Sequence, residues 1–207
     1  SYESIFINYF DLELRDGWEL DEFLKFVSSF NIKYKVYGIE ACKELYDKLH
    51  TKYIANSNIE IFHLAISSKD DQLINLYHSK DYDGNSIFKT KNNLLNINKN
   101  FEMCKTKRIS TFIQDIKKSN NTINIIKANI EGAEYDVIKD LQSENKLDYF
   151  DYYIGAGWTT DMHWIEELQP KVQEIKQILK NNNIKTYYFA QGWNEKNNIN
   201  FNNLIHS

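Results

Sequence analysis

The stretch Ile123-Asn-Ile-Ile-Lys-Ala-Asn-Ile-Glu-Gly-Ala-Glu-Tyr-Asp-Val-Ile-Lys-Asp-Leu141 decides the fold. Apolar residues at 123, 125, 126 and 128 read as a buried strand. The chain turns polar at Asn129, Glu131 and Glu134, and Val137, Ile138 and Leu141 then return at helical spacing. A strand therefore feeds a helix through a short loop carrying one glycine and two carboxylates. In open α/β sheets ligands bind at the carboxyl ends of the strands. The pattern thus puts Asn129, Glu131 and Glu134 where chemistry is expected.

The same alternation extends outward from this unit. Ile5–Phe10 reads as a first strand, Asp11–Gly17 as a polar loop, and Trp18–Phe30 as a helix with apolar residues at 20, 23, 24, 26, 27 and 30. Tyr34–Ile39 is a second strand ending at Glu40, Cys42–Lys52 a second helix, and Ile59–Ile66 a third strand. This βαβαβ order predicts a parallel sheet with right-handed crossovers. Leu73–Tyr77 reads as an extra strand, and the polar run Asp81–Asn100 as a long surface loop or lid. Arg108–Lys118 reads as a short strand-like piece and a helix. Past Leu141 the pattern gives a strand at Tyr149–Ile154, a long helix over Met162–Asn181, and a closing hairpin of Thr186–Ala190 with Ile199–Ile205. No internal repeat or linker-like stretch interrupts the 207 residues, so one domain is expected.

Composition narrows the class. Apolar residues make up 42% of the chain, with 14 Tyr and 12 Phe, enough for a packed core rather than disorder. The net charge of −4 and the absence of a basic stripe argue against nucleic acid. No stretch of about 18 apolar residues exists to span a membrane. No leader-like segment stands at the start, and Cys42 and Cys104 read as free thiols, so the cytoplasm is the expected compartment. Two cysteines and five dispersed histidines show no zinc-binding spacing, and no metal is expected.

Several local motifs, taken in order, resemble the FkbM-type family of class I S-adenosylmethionine-dependent methyltransferases. That family carries a signature close to I-K-x-D-x-E-G-A-E, and here the segment is Ile126-Lys-Ala-Asn-Ile-Glu-Gly-Ala-Glu134. Tyr37-Gly-Ile-Glu-Ala41 stands where members have an F-E-P-type motif, Ala65-Ile-Ser67 matches their A-x-S, and Gly84-Asn-Ser86 their Gly-x-Ser. The likeness runs from about residue 5 to 141 and continues more loosely to the end. It implies a Rossmann-like α/β fold, a mostly parallel doubly wound sheet with a C-terminal antiparallel hairpin. The family's Glu-x-His after the next strand is missing, that place reading Ile154-Gly-Ala-Gly-Trp158, and two single positions also depart from the family. Its first loop reads D-x-G-A-N-x-G, and here Asp11 and Gly17 are kept while Glu13 replaces the first glycine. A glycine there lets the backbone approach the cofactor's amino-acid end, whereas glutamate adds bulk and a charge that repels a carboxylate. Asn129 replaces aspartate and keeps a carbonyl acceptor without the charge.

The resemblance implies roles for particular residues. Glu40 is expected to accept the ribose hydroxyls of S-adenosyl-L-methionine beside Ala41; its other reading is a solvated acid capping the next helix. Asp11 and Gly17 would cradle the methionine part, or belong to an ordinary polar βα loop; Ala65 and Ile66 would flank the adenine, or be plain core at a strand end; Asn129 would contact the cofactor. Glu131 and Glu134, three apart at a helix start, read as substrate or metal contacts near the transferred methyl or as partners of the helix dipole. Transfer to a hydroxyl needs a base, and His163 with Asp161 is the candidate; the alternative is an exposed helix-start cluster. His63, in mid-strand, reads as a satisfied core residue. Trp158, Trp164 and Trp193, with Tyr152 and Tyr153, read as aromatic core or as a surface for a sugar ring. The implied activity is O-methylation of a sugar hydroxyl or similar polar acceptor in surface polysaccharide or glycan biosynthesis. The partner is then a small-molecule or glycan acceptor, with a homo-oligomer left open. The alternative from another class is a methyltransferase-like module that has lost the cofactor and serves as a binding or scaffold part of a glycan-assembly complex.

Overall fold

A computed structural model describes residues 5–79, 84–89, 101–155, 158–159, 161–189 and 198–199. The segment around Ile123–Leu141 forms β7 (Thr122–Lys127) and α4 (Glu134–Ser143). Around it stand β1 (Phe6–Asp11), α1 (Trp18–Ser29), β2 (Lys33–Glu40), α2 (Lys43–Tyr53) and β3 (Ile59–His63). The later elements are β8 (Tyr152–Gly155), α5 (Val172–Asn181), β9 (Thr186–Phe189) and β10 (Asn198–Ile199). The strands make one sheet in the order β10-β9-β8-β7-β1-β2-β3, with every pair parallel. This is the doubly wound, Rossmann-like α/β fold expected from the sequence.

Both faces of the sheet are covered, so successive residues of each strand serve different cores. Tyr9, Val36 and Ile125 are in register and pack with Leu20, Phe23 and Val27 of α1 and Leu49 of α2. Phe10 and Ile126, one residue on, pack with Val137, Ile138 and Leu141 of α4 and Ile175 of α5. That double burial is why these strands read as nearly continuous apolar runs. Gly155 permits the tightest approach, since a Cβ there would meet the Ala128 carbonyl oxygen at 1.9 Å.

Four local expectations change. First, the strand expected over 59–66 breaks at Leu64. Its continuation, β4 (Ala65–Ile66), leaves the main sheet and pairs with β6 (Phe101–Lys107), which also pairs antiparallel with β5 (Leu73–Tyr77). Second, β6 was hidden in the sequence. Its buried positions are Cys104 and Thr106, with Glu102 half-buried, while Phe101 and Met103 face out. An inward face that is half polar gives no apolar alternation to read. Third, the helix expected over 162–181 is only α5. Two tight 3₁₀ turns, Asp161–Trp164 and Glu166–Lys171, precede it. Pro170 lacks an N–H and disfavours helical geometry at the residue before it, so the helix starts after it.

Fourth, the closing strands are not an antiparallel hairpin. β10 runs parallel to β9, with Asn198 beside Tyr188 and Ile199 beside Phe189. With only two residues pairing, the chain needs to step back a single residue between Phe189 and Asn198. The expected partners from 200 to 205 lie outside the described residues, as do Trp193 and most of the lid at 81–100. Between β6 and β7 the chain makes only a single helical turn, α3 (Ile109–Phe112). Among the described residues no helix is long and apolar enough to cross a membrane.

Candidate functional site

A cleft open to solvent lies at the carboxyl ends of β1, β2, β4 and β7. Leu12 and Glu13 enter it from the β1 loop, Glu40 and Ala41 from the end of β2, and Ala65 and Ile66 from β4. Its other wall is Asn85, Ser86 and Ile87, with Ile130 and Ala133 below. Four expected cofactor residues, Glu40, Ala41, Ala65 and Ile66, therefore share one concave surface.

Glu40 is only 3% exposed. One carboxylate oxygen accepts the Cys42 N–H at 2.8 Å and the other the Arg15 N–H at 2.9 Å. It is therefore not the solvated acid of the alternative reading, although it does accept an N–H at the start of α2, and it also lines the cleft. Each oxygen keeps a second lone pair, so two hydroxyl donors can still be accepted. Burial pushes the carboxyl up to about 7, against the two N–H groups, which favour the charged form.

The Glu13 loop is held from beneath by a residue that the sequence reading did not single out. Lys127, 1% exposed, ends β7. Its ammonium pairs with Asp11 at 3.1 Å, pairs with Glu19, and donates to the Glu13 carbonyl at 2.6 Å. Burial alone lowers an ammonium; the charges of Asp11 and Glu19 overcome that and hold Lys127 charged. Burial raises Asp11 to about 7, with the ammonium pulling against it. The signal was available in the sequence. A lysine inside the apolar run 123–128 has to be paired if that run is a buried strand. Asp11 thus anchors the loop from below and is not one of the cleft's lining residues. Leu14 packs on Gly38, where a Cβ would stand 2.6 Å from its side chain, and this contact brings Arg15, at φ 54°, up to Glu40. Gly17, at φ 84°, caps α1 and packs against Leu49 and Tyr53 of α2, away from the cleft.

The polar turn after β7 divides its acids. Both Glu134 oxygens accept backbone N–H groups, from Ile130 at 2.8 Å and Gly132 at 2.7 Å. Glu134 is buried and serves as the clamp of the turn. Glu131 sits in that turn at φ 55°, before α4 begins, so the two acids do not share a helix face as their spacing led us to expect. The Glu131 carbonyl accepts the Ser86 hydroxyl at 2.9 Å, which fixes the Gly84–Ser86 segment on the cleft wall. The Asn129 side-chain oxygen is buried and has no hydrogen-bond partner among the described residues. An orphaned acceptor of this kind asks for an explanation.

Gly132, at φ 112°, lets two further segments press on this turn. A Cβ there would meet Ile165 at 2.1 Å and Phe88 at 3.1 Å. His163 is exposed on the 3₁₀ turn just before Ile165 and is not a lining residue of the cleft; of Asp161 only the backbone is described. His63 is partly buried, with one ring nitrogen 3.1 Å from the Ala41 carbonyl and its ring against Tyr46, as a satisfied core histidine. Trp158 is buried against Tyr153, whereas Trp164 is exposed.

Comparison with known families decides what this arrangement belongs to. Residues 16–185 match the model of the methyltransferase FkbM domain. The chain belongs to the FkbM methyltransferase family. No curated protein and no solved structure gives a significant match. The FkbM match opens at Asp16, inside the β1 loop and past Glu13, and closes at Lys185, before β9. It therefore covers Glu40, Ala41, Ala65, Ile66 and the Asn129–Glu134 turn, but not Leu12 or Glu13.

Proposed function

We propose that the chain is an S-adenosylmethionine-dependent O-methyltransferase acting on a sugar hydroxyl or similar polar acceptor, in polysaccharide or glycan assembly. The observation that carries this reading is Glu40, a buried acid at the end of β2 with acceptor capacity left on both oxygens, beside the apolar Ala41, Ala65 and Ile66. Those residues suit an adenosine, with the acid on the ribose and the apolar groups on the base. The orphaned Asn129 oxygen offers a further acceptor at the end of β7. The amino-acid end of the cofactor is taken to meet Glu13 on the cleft wall, and the carboxylate there suits an ammonium rather than a carboxyl group.

When bound, S-adenosylmethionine supplies an electrophilic methyl on sulfur. The chain's own part is to position an acceptor and take a proton. The Phe88 and Ile165 side chains fill the space over Gly132, so the acceptor is proposed to enter on the open side of the cleft, beside the Asn85–Ile87 wall. His163, exposed on the turn that carries Ile165, is the proposed base, with Asp161 beside it in sequence.

Two observations favour a second reading, a scaffold module without cofactor. The Arg15 N–H already occupies Glu40, and Glu13 stands where the family has glycine. Calorimetric titration with S-adenosylhomocysteine separates the two. Saturable binding by the native chain, weakened at least tenfold in Glu40→Gln, supports the enzyme. No heat and no thermal shift at millimolar ligand supports the scaffold.

A further inference from the structure

Beneath the cleft, three elements bring together residues far apart in sequence. The β5–β6 hairpin turns one face inward. On β6 alternation puts Glu102 and Cys104 on that face; on β5 it puts Ile74 and Leu76 there, opposite Cys104 and Glu102. His78 directly follows the strand, two residues past Leu76, and is buried on the same side. Cys42, at the N-cap of α2, closes the space and packs with Ala65, Leu76 and Cys104. The Cys42 sulfur, a His78 ring nitrogen and a Glu102 carboxylate oxygen all lie within 4.8 Å of one another.

We propose that Cys42, His78 and Glu102 form a binding site for a zinc-class divalent transition metal, which ties the β5–β6 hairpin to α2 behind the cleft wall. A thiolate, an imidazole and a carboxylate suit such an ion, and hard oxygen-seeking cations far less. Three protein ligands leave a fourth position for water. Bonds of about 2.1 Å in a tetrahedron place ligand atoms about 3.4 Å apart. His78 Nε2 and Glu102 Oε1 already stand 3.6 Å apart. Glu102 also accepts the Lys43 N–H at 3.1 Å, a bond of the sort that orients a metal-binding carboxylate. On binding, the metal–sulfur bond forms as the thiol proton leaves to solvent. The hairpin so fixed carries the Tyr77–Ser86 bridge, and through it the Asn85–Ile87 wall. The spacing 42, 78 and 102 matches no metal-binding motif, so these three residues could not be picked out by spacing.

Cobalt(II) titration of the metal-stripped full chain tests this site without cofactor or acceptor, so its outcome is separate from that of the methyl-transfer reading. One equivalent is expected, with tetrahedral visible absorption and a thiolate-to-cobalt charge-transfer band. Cys42→Ser is expected to lose that band, and His78→Gln to weaken binding at least tenfold. Cys104→Ser, an equally buried thiol, is expected to keep both, and circular dichroism checks that each variant is folded. Substoichiometric binding by the native chain overturns the proposal. So does a charge-transfer band that survives Cys42→Ser or vanishes in Cys104→Ser.

Discussion

Replacing Lys127 by methionine tests the polar centre of the fold. Methionine keeps most of the buried stem but removes the ammonium that Asp11, Glu19 and the Glu13 carbonyl share. Asp11 is fully buried and Glu19 largely so, which leaves two carboxylates facing each other without a cation. Removing one partner of a buried pair costs about 3–5 kcal/mol. For a chain of this length each kcal/mol moves the melting temperature by about 2–4 °C, so a fall of about 6–20 °C is expected. The loss has a pH signature. In native protein burial holds Asp11 near 7 against the pull of Lys127, and without the lysine it rises further. A carboxyl raised in the folded state binds a proton that the unfolded chain releases near 4. Its effect on stability is most favourable below about 4 and worsens as the pH rises through the folded value. The gap between native and Lys127→Met should therefore be wide at pH 8 and narrower at pH 5. Urea unfolding followed by tryptophan fluorescence, with Trp158 buried, measures it. A loss below about 1 kcal/mol at pH 8, or a gap that does not narrow at pH 5, refutes the argument that Lys127 neutralises this loop.

Four further outcomes are expected. Glu134→Ala removes acceptors from the Ile130 and Gly132 N–H groups, and at about 1.5–3 kcal/mol for a bond to a charged group it should lower urea stability by at least about 2 kcal/mol. Gly155→Ala drives a Cβ into the Ala128 carbonyl and should give little folded protein, whereas Gly38→Ala meets only the movable Leu14 side chain and should fold; equal soluble yields would contradict the β7–β8 contact. The affinity for S-adenosylhomocysteine should fall as the pH drops through about 7, because Glu40 then takes up a proton and loses acceptor capacity, and Glu40→Gln should flatten the profile. His163→Ala should lower kcat by about 10²–10⁴ while ligand affinity stays unchanged; a kcat within threefold of native removes His163 from the base role.

The parts of the fold that sequence made legible share one property: their side-chain pattern carries the burial. β1, β2, β7 and α4 are apolar on the faces they bury, and the resemblance at Ile126–Glu134 falls on the turn observed there. β6 was illegible because Glu102, Cys104 and Thr106 make its inward face polar, and the 161–171 segment because 3₁₀ turns keep apolar spacing without making a helix. At the site, Glu40 was read from the end of the second strand by fold analogy, whereas Ala65 and Ile66 were read only through the family resemblance. The part played by Glu134 was not. Spacing shows that two acids lie three apart but not that the backbone takes φ 55° between the strand and the helix, and that torsion turns one acid inward. Cys42, His78 and Glu102 were invisible because three separate elements supply them.

The central claim is that the Glu40 cleft receives the adenosine half of the cofactor. A crystal structure of the chain soaked or grown with S-adenosylhomocysteine tests it most directly. The expected result is density with both ribose hydroxyls within hydrogen-bond distance of the Glu40 carboxylate and the base against Ala65 and Ile66. A well-diffracting crystal at millimolar ligand with the Glu40 cleft empty, or with the ligand bound elsewhere, contradicts it.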